Sequence, residues 1–146
     1  MAARIAGLQP AHWKLIISPT PIVGPDRTNK YDNHSNVSFA TEGREFRRWL
    51  RDNVRSHAFV LCGDRHWQYH SIDPETGVEE FRCGAASDSH ASGSPGEDPK
   101  IHRFHRVKGG FLAIQVRPDG RRSRLVIEHR DVRGATVNSR SFERAV

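Results

Sequence analysis

Cysteine is nearly absent from this 146-residue sequence, which holds only Cys62 and Cys83. Two cysteines make neither a disulfide framework nor a zinc module. One disulfide between neighbouring strands and two separate buried thiols both stay open as readings. Long apolar runs are missing too. The longest have about five residues, against the ~20 needed to cross a bilayer. No leader-like segment is visible, and the compartment is left open. No block of five or six like charges and no basic tail occurs, which removes the usual mark of a nucleic-acid-binding arm. No internal repeat is visible. Apolar residues make up only 36% of the chain, while Gly and Pro are plentiful. That balance fits a single partial domain over 1–146, a piece whose hydrophobic surface meets another body.

What is present is charge. The net charge is +6, mostly from arginine. A basic balance favours anionic partners such as phosphates or nucleic acid. Arg47, Arg48, Arg51 and Arg55, however, read as the solvated face of one helix. A basic, non-catalytic module binding an anionic polymer is thus the alternative function. The aromatic residues fall within the apolar pattern instead of forming a stacking platform, so nucleic acid is not the expected partner.

The apolar pattern predicts an α/β chain. A short buried strand over 15–17 ends at Ser18-Pro19-Thr20-Pro21, because proline removes ladder donors. The polar segment 24–36 reads as a loop. Thr41 is a helix N-cap candidate, with Glu42 and Glu45 in the first turn. Phe46, Trp49 and Leu50 form one stripe of a helix ending near Asn53. The run 58–62 predicts a buried strand parallel to the first. Strands over 67–72 and 78–83 flank the turn Asp73-Pro74-Glu75-Thr76-Gly77. Segment 84–100 lacks periodicity and reads as a flexible loop. Asp119-Gly120 sits between alternating segments at 111–116 and 125–128, the signal of a hairpin. The expectation is a mixed sheet, with this terminal hairpin covering a larger sheet.

The densest chemistry lies in Val60-Leu61-Cys62-Gly63-Asp64-Arg65-His66-Trp67-Gln68-Tyr69-His70. An apolar run stops at Gly63, and an acid and an imidazole follow two residues apart. Ligands gather beyond the carboxyl ends of strands in open α/β sheets. Asp64 offers a hard oxygen and His66 a borderline nitrogen, a pair suited to a metal ion. Side chains two apart at a strand end share a face, roughly 7 Å apart at Cα. The plainer reading is a solvated turn. His70 lies about 13 Å beyond His66 on an extended chain and reads as a supporting or surface group. Asp32-Asn33-His34 reads either as turn chemistry or as a pocket loop. Ser87-Asp88-Ser89-His90 suggests a nucleophile and base, but a base in a loop lacks rigid orientation. His102 and His105, beside Arg103 and Arg106, read as a wetted basic edge in preference to the lining of a phosphate site.

These motifs carry a resemblance. The strand ending in Gly63-Asp64-Arg65-His66 resembles the last signature of the calcineurin-like metallophosphoesterases, closest to the alkaline phosphatase D (PhoD-like) branch. Trp13-Lys14-Leu15-Ile16-Ile17-Ser18 resembles the branch's Trp-Lys strand. Lys30-Tyr31-Asp32-Asn33, followed by Glu42-Gly43-Arg44-Glu45-Phe46-Arg47-Arg48-Trp49-Leu50, resembles its loop and helix. The resemblance runs from Trp13 to the final hairpin. It implies the C-terminal part of a metallophosphoesterase β-sandwich flanked by helices. It further implies metal ligation by Asp64 and His66, with iron, manganese or calcium as the cofactor. Asp32, His34 and Arg65 become the substrate-binding residues, and a phosphate mono- or diester the substrate. The family's upstream Asp-x-His, Gly-Asp-x-x-Asp and Gly-Asn-His-Asp/Glu motifs are not found before Asp64. Ser18-Pro19-Thr20-Pro21 stands where many relatives place a ligand histidine. The resemblance therefore implies a missing N-terminal half as partner, and little activity for this chain alone.

Overall fold

The computed structural model describes residues 13–54 and 58–145. The apolar pentapeptide Ala-Phe-Val-Leu-Cys forms β2 (Ala58–Cys62), and every residue from Phe59 onward is buried. Such a run needs cover on both faces. Val60 packs on one face with Leu50, Val54, Ile22, Val23 and Val78. Phe59 and Leu61 pack on the other with Phe81, Leu125 and Ile127. Each such side chain removed from water contributes about 1.5–3 kcal/mol. These two cores define three layers: a helix, a five-stranded sheet and a second sheet.

The first sheet has the order β1-β2-β4-β3-β5, from β1 (Lys14–Ser18), β2, β4 (Glu79–Cys83), β3 (Gln68–Ile72) and β5 (His102–Arg106). β1, β2 and β4 run parallel, whereas β3 pairs antiparallel with both β4 and β5. The sheet is mixed, as expected. Helix α1 (Ala40–Trp49) joins β1 to β2 and continues into a π turn, Leu50–Val54. Its stripe holds: Phe46 and Trp49 rings stack 3° from parallel, and Leu50 is buried. The helix start differs from expectation. Winding begins in a 3-10 turn at Val37–Phe39, so Phe39, with no side-chain cap bond, takes the N-cap place of Thr41.

The second sheet contains β6 (Gly110–Asp119), β7 (Arg122–Asp131) and β8 (Thr136–Ala145). The first two form the hairpin read from Asp119-Gly120, and its inner residues cover Phe59 and Phe81. The third strand extends it into a meander. The strand over 15–17 is not buried. β1 is the edge of its sheet, and Ile17 is 82% and Leu15 36% exposed. Segment 84–100 is irregular apart from a turn at Asp88–His90. Both cysteines are free. Cys62 pairs in register with Arg82, so Cys83 lies on the opposite face of β4. No helix among the described residues is long and apolar enough to cross a membrane.

Candidate functional site

β1 and β2 stop side by side, with Ser18 registered against Cys62. Two loops leave this end of the sheet, 19–36 and 63–67, and β4 braces both. Glu80 is fully buried on the helix side of the sheet. Its Oε2 accepts the backbone N–H of Ile22 at 2.7 Å and of Val23 at 2.9 Å, and its Oε1 that of Gly24 at 3.0 Å. Arg82, two residues on and equally buried, donates from Nε to the Arg65 carbonyl at 3.2 Å and from Nη2 to the Gly63 carbonyl. Tyr69 links the two. Its hydroxyl donates to Glu80 at 2.5 Å and accepts from Arg82 at 3.3 Å. Burial pushes the Tyr69 hydroxyl well above its usual range, as it does the Cys62 thiol, so both stay neutral. Glu80 and Arg82 escaped the sequence reading. The one signal was two opposite charges at i and i+2 in a strand, which equally fits a solvated face.

The braced turn at 63–66 alternates. Asp64 and His66 are exposed, while Arg65 between them is buried. Asp64 is the only non-glycine residue with positive φ among the described residues, at 70°. That left-handed conformation turns the chain out of the strand, so Asp64 belongs to a turn beyond β2 and not to the strand itself. The Arg65 guanidinium gathers three carboxylates. Nε donates to Asp26 at 2.7 Å, Nη1 to Asp64 and Nη2 to Asp32. Burial works against its charge, but Asp26 and Asp32 hold its pKa above the usual value. A bond from Asn33 and then the Arg65 fork hold Asp32 below the usual carboxylate range. Asp26 is itself buried and accepts from Asn33 at 2.8 Å.

Of the residues singled out in the sequence, the structure brings Asp32, Asp64 and Arg65 together, with His66 beside them in the turn. His34 goes elsewhere. Its Nε2 lies 3.6 Å from Glu42 at the start of α1, and its ring 5.8 Å from Phe39. His70 is neither a surface nor a site-supporting group. It is fully buried, stacked on Phe81 at 4.1 Å and bonded to Glu79 at 2.7 Å. His102 is not wetted: it is buried on β5, and its Nδ1 accepts the Asp98 N–H at 2.8 Å. Ser87 and His90 do meet, Oγ to Nδ1 at 2.8 Å, but in an exposed turn.

No protein-family model matches the chain, and no curated protein matches it. The chemistry must therefore be read from the side chains. Among the described residues no three His, Cys, Asp or Glu converge into a group able to hold an ion. Asp64 Oδ1 and the His66 ring accept no hydrogen bond there, so this turn offers two free donors of the type a divalent ion uses. Two such groups are fewer than an ion site needs. With three carboxylates around one guanidinium, the cluster favours a cation.

Proposed function

We propose that this chain is the C-terminal part of a PhoD-like, metal-dependent phosphoesterase of the calcineurin-like superfamily. The turn at 63–66 carries this reading. It lies at the carboxyl end of parallel strands, points Asp64 and His66 outward, and is fixed from beneath by Arg82. Asp64 and His66 would hold the metal, which as iron, manganese or calcium would supply an activated water for cleaving a phosphate mono- or diester. Arg65 orients Asp32 and Asp64 by spending its fork on their carboxylates. The other ligands would belong to an N-terminal half, the partner this reading requires. The basic-module alternative gains nothing from the hairpin, where Arg122 and Arg124 are tied to Glu143 and Asp119.

The test joins this chain to such an N-terminal half and assays a chromogenic phosphodiester with added manganese, calcium or iron. Asp64→Ala and His66→Ala should each remove most activity and lower the bound metal in parallel. Full metal content and full turnover in His66→Ala would end the ligand assignment. Robust, chelator-sensitive turnover by the chain alone would end the view that it is one part of a site.

A further inference from the structure

Next to the carboxylate cluster lies a cation whose guanidinium forms no hydrogen bond among the described residues. Arg27 follows Asp26 in the loop 19–36, and its side chain is 34% exposed. Its Nε is buried without an acceptor and stands 3.8 Å from Asp26 Oδ1. No donor of the guanidinium finds a hydrogen-bond acceptor among the described residues, whereas Arg65 fills all of its fork. Arg27 is nonetheless held in place. Its guanidinium lies 5.7 Å from the centre of the Trp67 ring, directly after His66 in sequence. The Arg82 guanidinium lies 4.9 Å from the same ring. Trp67 is fully buried, and its indole N–H also has no acceptor among the described residues.

Segment 92–94 closes the other side. Ser92 N–H donates to the His66 carbonyl at 3.2 Å. Gly93 then meets Arg27 so closely that a Cβ would stand 2.8 Å from Nη1. With φ at +74°, this is a conformation glycine adopts without strain. The absent side chain leaves room beside the Nη1 edge of the fork. A planar guanidinium with free, parallel N–H groups matches the edge of a tetrahedral oxyanion.

We infer that Arg27, braced by Trp67 and Asp26 and kept uncrowded by Gly93, is a binding residue for a phosphoryl oxyanion beside Asp64 and His66. The inference rests on the proposed phosphoesterase reading for its place in a site, but not for its test. Asp26 has a double role. One carboxylate oxygen anchors Arg65 and the other faces Arg27, so a single side chain aligns the cation-seeking and anion-seeking halves.

The probe is inorganic phosphate, titrated into the whole chain with a chelator present and again with manganese. Binding is followed by calorimetry in both conditions and, in the metal-free one, by the NMR signals of the Trp67 indole N–H and the Arg27 side chain. Phosphate should move both signals, and manganese should tighten the binding. Arg27→Ala should weaken it about tenfold, and Arg27→Lys should fall between, keeping charge but losing the fork. Arg121→Ala, an exposed arginine in the hairpin turn, should change nothing. Phosphate that binds Arg27→Ala as it binds the unaltered chain, or shifts neither signal, would overturn the inference. Manganese binding that survives while phosphate binding fails sinks this inference alone. Arg27-dependent phosphate binding that persists once the chain is joined to an N-terminal half, with no manganese bound there, sinks the metal reading instead.

Discussion

Glu80 is a carboxylate with no exposed surface, and all four groups that touch it are donors: three backbone N–H groups and the Tyr69 hydroxyl. Glutamine has nearly the same shape but offers one acceptor oxygen and turns two N–H donors toward other donors. Glu80→Gln should therefore leave at least one buried N–H unpaired and the Arg82 charge without its relayed counter-charge. The expected loss is about 2–4 kcal/mol, seen as a lower midpoint in urea unfolding. Glutamine supporting the same midpoint as glutamate would mean that the loop 19–36 is held by something other than this carboxylate.

Among elements, α1 sits tightly against the loop before it. A Cβ on Gly43 would stand 2.0 Å from the His34 carbonyl oxygen, a backbone atom with little freedom to yield. Gly43→Ala gains helix propensity of about 1 kcal/mol. The clash should outweigh that gain and leave a net loss of about 1–3 kcal/mol by thermal or urea unfolding. Amide signals of 32–36, the stretch that carries Asp32, should shift more than those of the second sheet. Elements that state their own burial were legible in the sequence. β2 is a continuous apolar run, α1 an apolar stripe, and the first hairpin is marked by Asp119-Gly120. β5 and β8 were not legible, because His-Arg-Phe-His-Arg and a mostly polar decapeptide become strands only through their neighbours. The same holds for the site. Asp64, Arg65 and His66 stand together in sequence, and Asp32 was noticed in its loop. Asp26 meets Arg65 across 39 residues and Glu80 meets Ile22 across 58, pairings that local spacing does not encode.

At the scale of the molecule, the seam between the sheets carries a pH dependence. His129 on β7 is fully buried against the first sheet, between Phe81 and Phe104. Its Nε2 donates to the Tyr69 carbonyl at 2.9 Å, and its Nδ1 accepts from Asn138 at 3.1 Å, which fixes the neutral ring. Burial lowers its pKa from 6.5 to about 4. The unfolded imidazole thus takes a proton that the folded one refuses, and acid favours unfolding. Stability should fall as pH drops from about 6.5 toward 4, by up to about 3 kcal/mol from this residue. Burial lowers the pKa of His102 and His105 as well, and they add in the same direction. Urea unfolding at several pH values should show the slope, and His129→Gln should flatten part of it. A flat profile in the unaltered chain would mean that the seam admits the charged ring.

Position 64 ranks the amino acids in two different orders. A φ of 70° suits Gly first, then Asn and Asp, and β-branched residues last. A library randomised at that one codon and sorted by protease resistance would drift toward Gly and Asn. On the proposed metal reading, the same library joined to an N-terminal half and sorted by retained manganese would hold to Asp, the member of that set with an anionic oxygen. The gap between the two sorted pools would then measure how far backbone comfort has been set aside for ligand chemistry, without any substrate being known.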